Sequence, residues 1–219
     1  MQLCLGTSIA IVVPTTIRSY LTHRAHGVVI PGVIRAWAPP AVIGVACAAT
    51  IAAFAPVQVL TIAFVVIASL IGLKLLFAGD RLNIGSKLPP PIPMALYGFG
   101  IGFCGSLMGV SGAAISTIVL TLYGKPIHSA IATSAGIAVP ISIAGAVGFM
   151  LAGLPHQAEL PPFSIGFVSL IGLVVVAPVA MFVAPYGARL AHRLSRRTLE
   201  IAFGCFLLLI ALRFLVSLF

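Results

Sequence analysis

Carboxylates are nearly missing from this chain. Asp80, Glu159 and Glu200 are the only acidic residues among 219, and each falls in a loop or at the end of an apolar run. Proton pumps and cation carriers usually place acids inside the membrane, so the absence argues against both. It also removes the paired carboxylates of acid–base catalysis. Cysteine is scarce too. Cys4, Cys47, Cys104 and Cys205 sit in apolar segments without ligand spacing and read as small buried hydrophobes. His23, His26, His156 and His192 fall in loops, and none of the histidines has metal spacing. His128 reads as an interfacial residue; its neighbour Ser129 would not face it on a helix. An intramembrane enzyme would need a base, a metal cluster or a nucleophile that the chain does not offer. The expectation is therefore no enzyme, no metal and no cofactor.

Charge of any sign is sparse at 7%, while 61% of residues are hydrophobic and mean hydropathy is +1.23. A soluble domain of this composition would carry an apolar surface. Several apolar runs approach the roughly 20 residues needed to cross a bilayer. The short alternating segments of a β-barrel are lacking. The net charge of +9 comes from basic residues in short loops. That pattern fits positive-inside topology and not nucleic acid. Met1 leads almost directly into GTSIAIVVP, so no cleavable leader is expected.

The fold class is thus all-α and polytopic, with about seven hydrophobic segments. They are read at 3–21, 37–55, 58–78, 91–124, 128–152, 163–185 and 198–218. Trp37 stands where an interfacial aromatic would, and Pro39 and Pro40 fit a helix start. Pro14 and Pro140 interrupt their own segments and are expected to break them.

Glycine is abundant in one place. Gly98, Gly100, Gly102, Gly105, Gly109 and Gly112 punctuate the stretch before Gly124. Each interior glycine costs a helix about 1 kcal/mol relative to alanine, so a simple span would not carry so many. As one straight helix, residues 91–124 would reach about 51 Å, too long for the bilayer. If they cross once, the twelve Lys and Arg residues divide seven to five, Arg18, Arg24, Arg35, Lys74, Arg81, Lys87 and Arg213 being the seven. If they enter and return, eleven share one side and Arg213 stands alone. The positive-inside rule favours the second arrangement, a re-entrant hairpin breaking near Gly109–Gly112.

The two halves repeat. GTSIAIVVPTTI (6–17) aligns with ATSAGIAVPISI (132–143), pairing Thr7 with Thr133, Ser8 with Ser134 and Pro14 with Pro140. QVLTIAFVVIASLIGLKLLF (58–77) aligns with RTLEIAFGCFLLLIALRFLV (197–216). An odd number of crossings per copy makes the repeats inverted, the first over 1–84 and the second over 91–219. A counterpart of the glycine-rich stretch should precede Thr7, but the chain starts at Met1. Either the first copy was lost or the reading is part of a longer protein.

What remains at depth is hydroxyl and backbone. A break at Gly109-Val110-Ser111-Gly112 leaves a helix from Ala113 with free N–H groups and a positive dipole end. That end can hold an anion. The candidate binding residues are Gly109, Ser111, Gly112, Thr133 and Ser134, with Thr7 and Ser8 as their repeat-related partners.

Four stretches carry a family resemblance: Gly-Val-Ser-Gly-Ala (109–113), LYGKPIHSAIATSAG (122–136), GTSIAIVVPTTIRS (6–19) and RRTLEIAFGCFLLLIALRFL (196–215). Together they resemble the sulfite exporter TauE/SafE family. Ser111 and Ala113 stand where family members often have glycine. The resemblance implies a multi-pass protein of the bacterial cytoplasmic membrane that moves small anions such as sulfite or organosulfonates by alternating access. Its partners would be the lipid bilayer and a small anion, with no nucleic acid; a homo-oligomer stays open. A non-transporting fragment or assembly partner is the alternative.

Overall fold

The computed structural model describes residues 2–25, 27–78, 85, 88–109, 111–193 and 195–216, without the side chains of residues 78, 184–193, 196 and 199. Arg81 and Lys87, used in the charge count, and the acid Asp80 lie outside the described residues, as do His26 and Val110. The side chains of Arg189, His192, Arg193 and Arg196 do too.

The chain is an all-α polytopic membrane protein. Its helices are α1 (Gln2–Ala25), α2 (Pro31–Phe54), α3 (Val57–Leu73), α4 (Pro91–Leu107), α5 (Ala113–Leu122), α6 (Ile127–Gly153), α7 (Leu170–Arg193) and α8 (Arg196–Val216). Among the described residues four helices are long and apolar enough to cross a membrane: α1, α2, α3 with its extension to Phe77, and α6 with the turn that follows it. α4, α5 and the Leu170–Val183 part of α7 are shorter and apolar. α3 ends in a π-turn, Lys74–Ala78.

Two boundaries depart from the sequence reading. α2 begins at Pro31, six residues before Trp37. Pro31 supplies the preset backbone of a first helical position, so Pro39 and Pro40 fall inside the helix. Trp37 is accordingly no interfacial anchor; it is fully buried beside Tyr97. The segment read as helix from 163 instead opens with a two-stranded ladder, Ser164–Ile165 against Val168–Ser169. Left-handed Phe163 and Gly166 turn the chain there. Gln157 clamps it, donating from Nε2 to the Ser164 carbonyl (2.6 Å) and accepting the Gly166 N–H (2.9 Å). α7 starts only after this clasp. Pro14 and Pro140 bend no helix to its end: α1 and α6 both run through them. Membrane helices tolerate such prolines because nearby hydroxyls and neighbours compensate the backbone.

α1 and α6 pack antiparallel. Thr16 meets Ser142 at 3.1 Å; towards one end Gly6 lies against Phe149, and towards the other Gly136 lies against Tyr20. Thr16 and Ser142 differ by the same 126 positions that separate Thr7 from Thr133. Each hydroxyl also lies within reach of the carbonyl just before its proline, Val13 or Val139; one hydroxyl donates across the crossing and the other, which accepts, donates to its own carbonyl. α3 and α8 are antiparallel as well, with Phe64 on Phe214 and Gly72 against Leu208. α2 and α7 are each 24 residues long.

α2 and α4 approach backbone to backbone. A Cβ on Gly102 would lie 2.0 Å from the Ala41 carbonyl oxygen, and one on Gly98 would lie 2.7 Å from that of Trp37. Small residues four apart permit this closeness in membranes, where dispersion and not water exclusion drives helix association. Part of the glycine pattern is therefore packing.

Candidate functional site: the α4–α5 bend and the threonine pairs

α4 and α5 form a helical hairpin. Tyr97, in the second turn of α4, hydrogen-bonds Tyr123, just past the end of α5 (2.9 Å), with the rings edge to face. A single straight crossing would hold them about 39 Å apart. The hydrogen bond to Tyr97 is the main cause that raises the Tyr123 phenol above its ordinary titration range.

The bend lies at Met108–Gly112. Gly109 and Gly112 both adopt φ of +68°, a left-handed conformation that costs other L-residues about 1–2 kcal/mol. Gly112 is the N-cap of α5 and contributes no side-chain cap. The first-turn N–H groups of α5 therefore have no intrahelical acceptor, and the dipole end there is positive. Ser111 is 7% exposed. Ser106, one turn before the bend, is fully buried, and its hydroxyl has no hydrogen-bond partner among the described residues.

Of the residues expected at the site, the structure brings Ser8 to the bend. Its hydroxyl donates to the Gly109 carbonyl (2.8 Å), and Leu5 packs on Gly109. Thr133 and Ser134 are elsewhere. Thr7 and Thr133 each lie nine residues from the Thr16–Ser142 crossing, in opposite directions. At 1.5 Å per residue the two Thr-Ser pairs are separated by about 27 Å along the helix pair.

The threonines have matching tasks at these opposite ends. Thr133 Oγ1 accepts the N–H of Ile30, the residue before α2 (3.0 Å). Thr7 Oγ1 accepts the N–H of Ser169, the residue before α7 (2.9 Å). Ile30 and Ser169 stand 139 positions apart, the same separation as the starts of α2 and α7. Each half thus receives its second helix on the threonine of the other half. Nothing in the apolar strings around Ile30 and Ser169 marked these donors beforehand. Only the Thr-Ser repeat itself was visible.

No cluster of histidine, cysteine or acidic side chains that could hold a metal exists among the described residues.

The family model for the sulfite exporter TauE/SafE matches residues 1–214, and the chain belongs to that family of membrane transporters. It is also similar to a protein of Haemophilus influenzae named "Probable membrane transporter protein", with 24% identity over 212 residues. The match covers 97% of this chain and 80% of that protein. No solved structure matches the chain.

Proposed function

We propose that the chain moves small oxyanions or organosulfonates, sulfite among them, across the bacterial cytoplasmic membrane. The observation that carries this reading is the α4–α5 bend. It leaves the N-terminus of α5 uncapped next to Ser111, with the Ser106 hydroxyl one turn before it lacking a partner among the described residues, Ser8 fastening the bend through the Gly109 carbonyl, and no acidic side chain in the hairpin. Backbone N–H groups and hydroxyls suit an oxyanion, and no buried counter-charge is required.

In this reading residues 1–84 and 91–219 are inverted repeats, and exchange of their arrangements opens the site to either side. The antiparallel α1–α6 and α3–α8 crossings and the reciprocal threonine contacts support it. Gly109, Ser111, Gly112, Thr7 and Ser8 form one half of the binding apparatus. Thr133 and Ser134 hold the related position at the other end.

The test is ligand-dependent stabilisation of the purified protein with sulfite, sulfate, sulfoacetate, taurine and small carboxylates. Selective binding raises the unfolding temperature by mass action. A positive result singles out one or more anions, and the shift falls when Ser8→Ala and Ser111→Ala are combined. Equal stabilisation of wild type and double variant would sink this site.

A further inference from the structure

Trp37 is the only tryptophan in the chain. It is fully buried, and its indole nitrogen has no hydrogen-bond partner among the described residues. Tyr97 lies beside it, but the Tyr97 hydroxyl is joined to Tyr123. A buried donor without an acceptor is costly and uncommon. The hydroxyls of Ser134 and Ser106, both at most 1% exposed, share that condition. The indole fixes the polarity of what can meet it, because its N–H donates and cannot accept.

The three residues lie along one seam. α2 and α6 run parallel, with Ile34 on Gly136 and Val45 near Gly145. Ser134 sits between Ala130 and Ile137 on one helix face, and those two share a buried cluster with Val33 and Trp37. In this register Ser134 stands about one and a half turns from Trp37, on the side towards which helical side chains lean. α4 also runs parallel to α2, with Gly98 on Trp37 and Gly102 on Ala41. The same step of four brings Ser106 to the level of Val45. Helices α2, α4, α5 and α6 contain no acidic residue, so a cation would meet donors here and no counter-charge.

We propose that the Trp37 N–H and the Ser134 hydroxyl form a second station for the transported oxyanion, between α2 and α6. The proposal rests on the anion-transport reading and adds Trp37 to its binding residues. Ser134 and Ser8 each lie eight residues from the Thr16–Ser142 crossing, in opposite directions. The station and the bend are therefore about 12 Å to either side of it. Ser106 stands between them in depth and offers an anion passing along the seam an intermediate donor. Trp37 and Ser134 are sealed from the surface in this structure, so the station fills when α2 and α6 part, a movement that alternating access supplies.

The test uses the purified chain with sulfite and sulfoacetate as probes. A single tryptophan makes its emission a report on this place alone. It also allows biosynthetic replacement by benzothienylalanine, which keeps the ring shape and puts sulfur where the N–H was. The expected result is a saturable change in Trp37 emission over the same anion concentrations that raise the unfolding temperature. The analogue and Ser134→Ala should each weaken the anion affinity, read by thermal shift, about tenfold, the worth of one hydrogen bond to a charged group. Without anion, the analogue protein should unfold at or above the wild-type temperature, because the unpartnered donor is gone; that separates a binding role from packing. Anion-dependent stabilisation with unchanged emission, or with equal affinity in the analogue, would overturn the station and leave the bend site standing. A water bridging Trp37 and Ser134 would give that outcome. Stabilisation by neither probe in the wild-type protein removes the anion reading for them and the station with it.

Discussion

Thr16 and Ser142 share a hydrogen bond of 3.1 Å at the crossing of α1 and α6. The hydroxyl that accepts in this pair donates its own proton to the carbonyl before its proline, Val13 or Val139. Two residues related by the repeat can touch one another only where the two halves cross. In the proposed inverted-repeat reading this pair marks the crossing of the two halves. Thr16→Val and Ser142→Ala should each cost less than about 1 kcal/mol, and the double-mutant coupling should be about 0.6 kcal/mol, as for other intramembrane hydrogen bonds. Reversible unfolding in detergent measures it. Strict additivity of the two changes would show that the contact contributes nothing.

Gly102 and Gly100 offer a sharper contrast. A Cβ at Gly102 would overlap the Ala41 carbonyl, whereas nothing lies within 4 Å of one at Gly100. Gly102→Ala should destabilise by about 1–3 kcal/mol or more, the range of overpacked cores. Gly100→Ala should be neutral or stabilising, since alanine is the better helix former. Unfolding temperatures of the two variants decide; equal effects would mean that α4 does not pack on α2 as described.

The reciprocal threonines predict matched behaviour at two distant positions. Thr7→Val strands the Ser169 N–H, and Thr133→Val strands the Ile30 N–H. A stranded donor costs about 1–3 kcal/mol when fully buried; these two contacts are half-buried, so both variants should lose stability by an amount near or below the lower end. Thr7→Ser and Thr133→Ser should recover most of it. Failure of serine to rescue either variant would assign the loss to packing and not to the hydrogen bond.

Pro90 and Lys125 flank the hairpin. Cysteines at the two positions should be labelled from the same side of the membrane by an impermeant reagent. Opposite-side labelling would mean that the α4–α5 segment crosses.

Alkaline pH should loosen the hairpin's open end. The Tyr123 phenol is raised above its unfolded value of 10.0, so its contribution is fully present below about pH 10 and is lost as pH rises through the higher folded value. Tyrosinate absorbance should show Tyr123 titrating later than a free phenol, and Tyr97→Phe should bring it back down. An unchanged Tyr123 titration in that variant would contradict the assigned cause.

Much of this architecture was legible in the residues because membrane spans are set by length and hydropathy. The placement of α3, α6 and α8 followed from that alone. The hairpin followed from charge distribution, a property summed over the whole chain. What escaped the reading was local. Pro31 took the helix start assigned to Pro39 and Pro40, because several prolines competed for one role. The clasp at 154–169 depends on Gln157 reaching Ser164 and Gly166, a pairing without a periodic signature. The separation of Thr7–Ser8 from Thr133–Ser134 depends on where α1 and α6 cross, and an alignment of repeats carries no depth.

The clasp has one further consequence. Two identical halves exchanging arrangements would spend equal time facing each side of the membrane. Here α1 passes to α2 through a few residues, while α6 passes to α7 through the Gln157-fastened ladder, which also ties the Phe167 N–H to the Phe149 carbonyl. Among the described residues the α1–α2 connection shows no such fastening, so under the proposed alternating access the clasp would weight one facing over the other. Each 1.4 kcal/mol or so of such bias makes a tenfold difference in occupancy. Under the proposed alternating access, Gln157 would thereby give the empty protein a resting orientation.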